Sequence, residues 1–548
     1  MKKIFSAICL GVMLAAAMPA DSTIQGGQDT RLANLAMQGD RAGVLALLRQ
    51  KVNVNAPQGD GMTALHWAAM KNDLALTEAL LAAGADVKAT TRVEALTPLL
   101  VASNNGNAPV IAALLKAGAN ANTPNDLGST PLMLASGSGS VDAVKALLNA
   151  GAGVNAKDAK MGQTAVMFAA GLNRDAVIRI LAAKGADLNA TSALTKLQKA
   201  LFDEEGNPIP APRAGQVTAQ AQGGAGATFM GGWSALHFAA RDGYVTSVRA
   251  LVESGANVSL PGEGDKTTPL VMAIENGHFD LARYLVEKGA NVSLANDGGL
   301  TPVYATIDVQ WAPVAWAPVP DTFKEKTSYM DLLKILVDHG ANVNNKLTQG
   351  LWYRPADHNQ AWVKLGGSNA FWRAAQSTDL EAIRFLAAHG ANVKDISAQK
   401  DTALMMAAGV GWAGNFSTNA PGSYLPAVKL LVEDLGLDIN AVDQQGFTAV
   451  MGAAYRGDNE MVEYLVSKGA KLDFRTNRGW SVTDMANGPA LRSSVPLSHP
   501  DTIALLGKLG APPMLKVEGE EILGIIRGKA PVVKKEEAAT AKPEAKKQ

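Results

Sequence analysis

Cysteine is almost absent from this sequence. Cys9 is the only cysteine among 548 residues, and it lies in the apolar N-terminal segment. Once that segment is removed, the chain can form no disulfide, no cysteine-ligated metal site and no cysteine nucleophile. Neither sign of charge prevails, because 50 basic residues face 50 acidic ones. This balance argues against broad electrostatic binding of nucleic acid, which requires a basic face.

Catalytic motifs are missing as well. H-E-x-x-H and G-x-S-x-G do not occur. The segment Gly264-Asp265-Lys266-Thr267 matches only the end of a phosphate-binding loop and is better explained as a turn. His358 and His499 lie in irregular sequence with no pattern of metal ligands around them. We therefore expect no enzymatic activity, no cofactor and no bound metal.

The first 20 residues have the pattern of a secretory signal peptide. Lys2 and Lys3 precede an apolar run from Ile4 to Ala17, and small residues follow. The segment looks bacterial, so we predict a periplasmic or secreted protein. An uncleaved anchor is the alternative, although the apolar run is short for a membrane span. Residues 21–30 are predicted to be flexible.

The stretch from Thr268 to Ala290 is the pattern that the chain repeats. Thr268 suits an N-cap, and Pro269 suits the first helical position. Gly277 and Gly289 suit the left-handed ends of two short helices. The spacing of apolar residues predicts one buried stripe on each helix, at Leu270, Ala273, Ile274, Leu281, Ala282, Leu285 and Val286.

The same pattern recurs eleven times, and we number these copies repeats 1 to 11. In eight of the eleven, the helix start and the closing glycine are 21 positions apart. The starts are Thr63, Thr97, Thr130, Thr164, Ser234, Thr268, Thr301, Asn369, Thr402, Thr448 and Ser481. The closing glycines are Gly84, Gly118, Gly151, Gly185, Gly255, Gly289, Gly340, Gly390, Gly436, Gly469 and Gly510.

This arrangement resembles the ankyrin repeat, whose signature is a T-P-L-H-x-A start and a period of about 33 residues. The resemblance implies an all-α solenoid of helix–turn–helix units with β-turn fingers. With a partial unit at 31–55, about 12 units are expected over residues 31–513. Insertions are predicted near 190–232, 308–327, 345–368, 411–425 and 487–499. A C-terminal extension at 514–528 and a disordered Lys/Ala/Glu tail at 529–548 complete the prediction.

The resemblance also gives His66 and His237 a role. They occupy the motif histidine, which in ankyrin proteins ties adjacent turns together by hydrogen bonds. Most other repeats replace it with an apolar or aromatic residue, so we expect fewer such bonds here. Trp372 stands at this position and is expected to be buried. His339 and His389 precede closing glycines, where a cation near a helix C-terminus is favourable.

The aromatic residues are few but unevenly placed. Only 5% of residues are aromatic, yet six of the nine tryptophans lie between Trp311 and Trp412. Two interpretations remain open: the insertions cap the solenoid with a small core, or they form a recognition site, since tryptophan and tyrosine are enriched at binding hot spots. On the second, we predict binding residues at Trp311, Trp316, Trp352, Tyr353, Trp362, Trp412, Phe416 and Tyr424.

Ankyrin proteins as a family are protein-binding modules. We therefore predict a non-enzymatic, monomeric scaffold that binds another folded protein, not nucleic acid, and has no membrane span once the signal is removed. Contacts are expected from the aromatic insertions and from a concave face of exposed, nearly neutral residues, such as Arg241, Asp242, Gln376, Ser377, Tyr455 and Arg456. The alternative is a small-molecule or polysaccharide binder, with Trp311 and Trp316 as a stacking platform.

Overall fold

The fold is described from a computed structural model. It describes residues 29–196, 229–312, 320, 322–348, 363–412, 417–422, 424–489 and 498–515. These residues belong to two compact units, one extending to Asp187 and the other beginning at Leu188. Within the described ranges, no helix is long and apolar enough to cross a membrane. The predicted signal peptide, the tail at 529–548 and most of the extension lie outside them.

The first unit consists of five pairs of helices. Each pair is one repeat, and the partial repeat at 31–55 is a complete helix pair. The helices are α1 (Arg31–Gln38), α2 (Arg41–Arg49), α3 (Ala64–Met70), α4 (Leu74–Ala82), α5 (Pro98–Asn104), α6 (Ala108–Lys116), α7 (Pro131–Ser138), α8 (Val141–Asn149), α9 (Ala165–Gly171) and α10 (Asp175–Ala183).

The second unit continues the same pattern through repeats 5 to 11. Its helices are α11 (Ala235–Arg241), α12 (Val245–Glu253), α13 (Pro269–Glu275), α14 (Phe279–Glu287), α15 (Pro302–Gln310), α16 (Tyr329–Asp338), α17 (Ala370–Gln376), α18 (Leu380–Ala388), α19 (Ala403–Ala408), α20 (Tyr424–Lys429), α21 (Ala449–Arg456), α22 (Asn459–Ser467), α23 (Val482–Ala486) and α24 (Pro500–Lys508). A 3₁₀ turn spans Thr322–Lys324, and a π-helical turn, Leu430–Asp434, extends α20.

Repeat 6 shows why the sequence folds in this way. The Thr268 hydroxyl accepts a hydrogen bond from the Val271 N–H at 3.3 Å, and Pro269 begins α13. On the buried side, Leu270 is 1% exposed and Leu285 is fully buried. The all-α fold and the predicted apolar stripes are confirmed.

All eleven closing glycines adopt the left-handed conformation. Their φ angles lie between +62° and +96°, with Gly289 at +85°. A Cβ atom built on any of them meets nothing within 4 Å. The backbone conformation, and not a lack of space, therefore explains why glycine stands at these positions.

The motif histidines tie neighbouring repeats together, and Trp372 does the same. His66 Nε2 donates to the Leu96 carbonyl at 2.9 Å, and His237 Nε2 donates to the Thr267 carbonyl at 3.0 Å. Trp372 is fully buried, as expected, and its indole N–H donates to the Asp401 carbonyl at 2.9 Å. The expected loss of this bond does not occur in repeat 8, because the indole replaces the imidazole as donor.

A second tie, absent from the sequence prediction, comes from a row of asparagines. In repeat 2, the Asn122 amide donates to the closing-glycine carbonyl of repeat 3, Gly151, at 3.0 Å, and its oxygen accepts the Gly153 N–H at 2.8 Å. The same pair of bonds recurs at Asn55, Asn155, Asn344 and Asn440. Each asparagine thus satisfies backbone groups that the end of a helix leaves unpaired.

The long insertion near 190–232 begins and ends in a short β-ribbon. Strand β1 (Leu194–Lys196) pairs antiparallel with β2 (Phe229–Gly231), in a register that places Leu194 opposite Gly231. This ribbon was not predicted. It fixes the two ends of the insertion beside each other, and residues 197–228 lie outside the described ranges.

Candidate recognition site at two insertions

Trp311 is the first residue of the insertion in repeat 7. It ends helix α15, which has nine residues where α13 has seven. Its half-buried side chain donates an indole hydrogen bond to Asp379 Oδ2 at 2.7 Å and packs edge-on against Tyr329, with ring centroids 6.0 Å apart. Burial, with the added effect of Asp379, raises the pKa of the Tyr329 phenol. Asp379 therefore holds two aromatic side chains of repeat 7 against repeat 8.

The last residues of this insertion are held against helix α14 by hydrogen bonds to Asp280. The Asp280 carboxylate accepts hydrogen bonds from the Lys326 N–H at 3.1 Å and from the Thr327 N–H and hydroxyl, each at 2.8 Å. In exchange, Glu325 Oε2 accepts the Asp280 N–H at 2.7 Å. These bonds fix the turn that carries Phe323, whose side chain is 92% exposed.

The insertion of repeat 9 folds back onto repeats 7 and 8. The Thr418 hydroxyl donates to the Ala312 carbonyl at 2.8 Å, and the Asn419 amide donates to the Gln376 carbonyl at 3.0 Å. A third bond runs from the Ala420 N–H to the Ser377 carbonyl at 2.9 Å. The two insertions therefore meet over the end of helix α17. We call this place the insertion junction and define it by Trp311, Ala312, Gln376, Trp412, Thr418 and Asn419.

A buried arginine lies beneath the insertion junction. Arg373 forms an ion pair with Asp308 at 2.8 Å, and both side chains are at most 5% exposed. Its other nitrogens donate to Ser377 Oγ at 2.5 Å and to the Trp311 carbonyl at 2.7 Å. All three guanidinium nitrogens thus have partners, which is the condition under which a buried charge is tolerated.

Sequence reasoning missed Arg373, although a signal was available. Four positions after each helix start, the other ten repeats carry an apolar residue or glycine: Trp67, Val101, Leu134, Phe168, Phe238, Met272, Ala305, Met406, Gly452 and Met485. A charged residue in a column of apolar ones indicates a buried polar contact in that repeat.

A second arginine borders the same region. The Arg456 guanidinium lies over the Tyr424 ring at 4.1 Å and pairs with Asp458 at 2.9 Å. Burial lowers the pKa of Arg456, and the charge of Asp458 counteracts this shift. Because both arginines are paired with carboxylates, the region presents aromatic surface and hydrogen-bonding groups in place of net charge.

A small cavity lies at the insertion junction. The volume that the centre of a water molecule can occupy in it is about 20 Å³. On the same measure, one water requires about 10–15 Å³. Two buried acceptors on residues lining it, Gln376 Oε1 and Asn419 Oδ1, have no hydrogen-bond partner among the described residues. The cavity has room for one or two waters. Its wall is formed by Trp311, Arg373, Gln376, Met406, Val410, Gly411, Trp412, Ser417, Thr418, Asn419 and Arg456.

The structure brings together three of the eight predicted binding residues. Trp311 and Trp412 line the cavity, and Tyr424 packs on Arg456, which also lines it. The other five lie outside the described residues: Trp316, Trp352, Tyr353, Trp362 and Phe416. The proposed stacking pair of Trp311 and Trp316 therefore has only one described member, and that one is bonded to Asp379.

The expectation about the concave face was wrong at three of the positions named. Ser377 is fully buried, Tyr455 is 5% exposed and the Arg456 side chain is 7% exposed, although all three were expected to be exposed. The insertion of repeat 9 pairs with the backbone of Ser377, and the Tyr455 carbonyl accepts a hydrogen bond from His499 at 3.2 Å. In the described ranges, no group of three or more His, Cys, Asp or Glu side chains could hold a metal ion.

Comparison with known protein families settles the family. The family model described as "Ankyrin repeats (3 copies)" matches residues 31–125, 99–192, 215–296 and 417–510, which is more than half of the chain. The chain belongs to the ankyrin repeat family. Residues 297–416 fall between two of these matches, yet helices α15 to α19 form ankyrin repeats there. The unmatched segment contains both Trp311 and Trp412.

Individual relatives share only short stretches of ankyrin repeats with this chain. Ankyrin repeat and SAM domain-containing protein 6 of Rattus norvegicus is 42% identical over 62 residues, which cover 11% of this chain and 7% of that protein. Palmitoyltransferase AKR1 of Candida albicans is 39% identical over 77 residues, which cover 14% of this chain and 9% of that protein. The matched stretches thus span less than a tenth of either relative.

Proposed function

We propose that this chain is a non-enzymatic scaffold that acts outside the cytoplasm and binds a folded protein partner. The ankyrin repeats imply a role in protein–protein interaction. The finer proposal places the contact at the insertion junction and the Phe323 turn, together with the adjoining concave face.

The observation that carries this proposal is an exposed aromatic side chain on a turn whose backbone is fixed. Phe323 is 92% exposed, while the backbone that follows it is clasped to Asp280 by three hydrogen bonds. An insertion that served only as a cap would turn its aromatic residues inward. An aromatic side chain has few rotatable bonds and, on a backbone that is already fixed, loses little conformational entropy on binding, which makes it an effective anchor.

Trp412 supports the same assignment. It is half-buried at the cavity, and its indole N–H makes no hydrogen bond within the described residues. Trp311, in contrast, is anchored by Asp379. The two tryptophans therefore have different roles. Trp311 holds the insertion in place, and Trp412 is available to a partner. The Phe323 turn is connected to this region by one hydrogen bond. The Thr322 hydroxyl donates it to Gln310 Oε1 at 3.4 Å, and Gln310 is the residue before Trp311.

The test is affinity capture with mild cross-linking from the envelope of the source cells. Three baits are compared: the wild type, Phe323→Ala/Trp412→Ala, and Val93→Ala/Met161→Ala. The third bait is a matched control, because Val93 and Met161 are 70% and 45% exposed and lie far from the insertions in sequence. Loss of one stoichiometric protein with the second bait only supports the proposal. Equal recovery with all three baits contradicts the proposed site.

The proposed location has a separate test. If residues 1–20 are a signal peptide, the protein purified from the periplasm or the medium begins near residue 21. Recovery of the chain in the cytoplasm with residues 1–20 still attached contradicts this part of the proposal and leaves the binding site untouched.

A further inference from the structure

Two buried carboxyl groups meet between neighbouring fingers. Asp401 directly precedes the N-cap of repeat 9 and is 1% exposed. Asp443 opens the finger that leads into repeat 10 and is 7% exposed; its Oδ1 accepts the Gln445 N–H at 2.8 Å and the Phe447 N–H at 2.7 Å. The Gln444 N–H, next to Asp443, donates to the Gln399 carbonyl at 2.8 Å and joins the two fingers, and each carboxyl group influences the pKa of the other. A hydrogen bond between two carboxyl groups requires a proton, because carboxylates are acceptors only.

The equivalent positions three repeats earlier are joined without a proton. Thr267 directly precedes the N-cap of repeat 6, and Asn296 opens the finger that leads into repeat 7. Asn296 Oδ1 accepts the Gly298 N–H at 2.9 Å and the Leu300 N–H at 3.0 Å, as Asp443 does in its own finger. The Asn296 amide then donates to Thr267 Oγ1 at 3.3 Å. At that position the Asn296 amide provides the hydrogen for the bond. Asp401 and Asp443 have no such hydrogen and must take a proton from solution.

We propose that Asp401 and Asp443 form a proton-dependent latch between the fingers of repeats 9 and 10. One carboxyl carries a proton and donates it to the other, which closes the fingers. Loss of that proton leaves two buried negative charges in contact and loosens the fingers. Helix α19 begins two residues after Asp401 and carries Met406 of the cavity wall, so one helix connects the latch to the insertion junction.

The surroundings place the proton on Asp401. Burial raises the pKa of Asp401 to about 7, with Asp443 adding to the shift. Burial also raises the pKa of Asp443, but its hydrogen bonds from backbone N–H groups favour the charged form. An acid whose pKa is higher in the folded state stabilises the fold below its unfolded pKa. That stability is lost as the pH rises through the folded pKa, here between about pH 4 and pH 7.

Other charged groups around the pair are exposed or have partners of their own. Lys364 and Lys400 are exposed. Asp395 pairs with Lys346 at 2.7 Å, and Ser397 Oγ donates to the Asp401 carboxylate. On the following finger, Arg475 donates to the Gly479 carbonyl at 2.8 Å and Arg478 lies over the Trp480 ring at 5.1 Å. No cation therefore pairs with Asp401 or Asp443 among the described residues.

Two buried histidines give a pH dependence of opposite sign. Burial lowers the pKa of His237 to about 4 and also lowers the pKa of His66. These groups favour the fold above their unfolded pKa, and that stability is lost as the pH falls. The whole-protein profile is therefore a sum, and the latch is measured as a difference between variants that all keep both histidines.

The experiment compares thermal unfolding of the full chain between pH 5 and pH 8. Asp443→Asn supplies a permanent donor, and Asp401→Thr/Asp443→Asn copies the Thr267 and Asn296 pair. Asp158→Asn is the matched control, because Asp158 also opens a finger and its Oδ1 accepts the Lys160 N–H at 3.0 Å. Between pH 5 and pH 8, the Tm of the wild type should fall by about 2–4 °C more than the Tm of either latch variant. The Tm of Asp158→Asn should change with pH as that of the wild type does.

Infrared spectroscopy gives a second, local measurement. The wild type at pH 6 should show the band of a protonated carboxyl that is absent from Asp401→Asn. If the band is missing, or if all variants share one Tm profile, the latch does not exist. Both readouts are independent of partner binding, so failure of this proposal and failure of the proposed function are distinguishable.

Discussion

Repeat 6 and repeats 7 to 9 share the same helix pair but differ in what is added to it. In repeat 6, 21 positions separate Thr268 from Gly289, and the interior is an apolar stripe that includes the fully buried Leu285. Repeats 7 and 9 carry long insertions, and repeat 8 between them buries an arginine where the other repeats are apolar. All four nevertheless have a capping side chain at the start of the first helix and a left-handed closing glycine. The frame therefore depends on local rules, and the insertions depend on particular polar contacts.

This difference has consequences for specificity. Apolar stripes tolerate substitutions of similar volume, so a regular repeat can vary without losing its fold. A polar network holds only when every member has a partner. The Arg373 network connects α15, α17 and Trp311, and it thereby fixes the first insertion relative to repeat 8. We expect perturbation of this network to affect the insertions more than the frame.

Removal of Arg373 should have the largest effect on stability. Arg373→Met removes the ion-pair partner of the buried Asp308 carboxylate, and breaking a buried ion pair typically costs about 3–5 kcal/mol in the free energy of unfolding. The double variant Arg373→Met/Asp308→Leu removes both charges and should recover much of that loss. Urea unfolding of both variants tests this expectation. A double variant that is no more stable than the single one would show that the hydrogen bonds to Ser377 and Trp311, and not the charge, dominate.

Leu285→Ala should be the largest perturbation within the regular frame. Leu285 is fully buried in helix α14, and leucine-to-alanine changes in a packed core cost about 2–5 kcal/mol. The same change at Leu74, which is 36% exposed, is the control and should cost far less. Equal losses at the two positions would contradict the repeat register.

Substitution of Gly289 should have a moderate effect that depends on backbone conformation alone. Gly289→Val forces a β-branched residue to φ +85°, and we expect a loss of about 1–2 kcal/mol. Gly289→Asn should lose less, since asparagine enters the left-handed region more readily. Because a Cβ there meets no atom within 4 Å, a large loss with asparagine would mean that packing, and not conformation, requires glycine.

The asparagine ties should be equally important in regular and enlarged repeats. Asn122 and Asn344 each make one bond to a closing-glycine carbonyl and one to a following N–H. Loss of two such bonds in Asn122→Ala or Asn344→Ala should cost about 1–2 kcal/mol. Denaturant unfolding of the two variants checks the comparison. A much smaller loss for Asn344→Ala would show that the insertions relax the frame.

Much of the frame could be predicted from the sequence because its causes are local. Thr268, Pro269 and Gly289 specify the start and end of a helix within a few residues, and the prediction holds at each. The same rules located repeats at Thr301, Asn369 and Thr402, in the stretch that the family model leaves unmatched. The asparagine ties were missed because an asparagine in a turn has many possible partners.

The candidate site could be predicted only in part. The unusual density of tryptophans singled out residues 311–412, but it did not show which insertions meet. That depends on contacts such as Thr418 with Ala312, which are 106 positions apart. Phe323 was missed because an isolated phenylalanine in an insertion does not reveal its exposure.

The central claim is that the insertions add a recognition surface to an unbroken repeat frame. The most direct test measures the affinity of the captured partner for the wild type and for Phe323→Ala/Trp412→Ala, together with thermal unfolding of both. We predict that affinity falls at least about tenfold, as expected for the loss of an aromatic hot spot, while Tm stays within about 2 °C. Unchanged affinity in the variant, with the same Tm, would contradict the account and assign these aromatic residues a purely structural role.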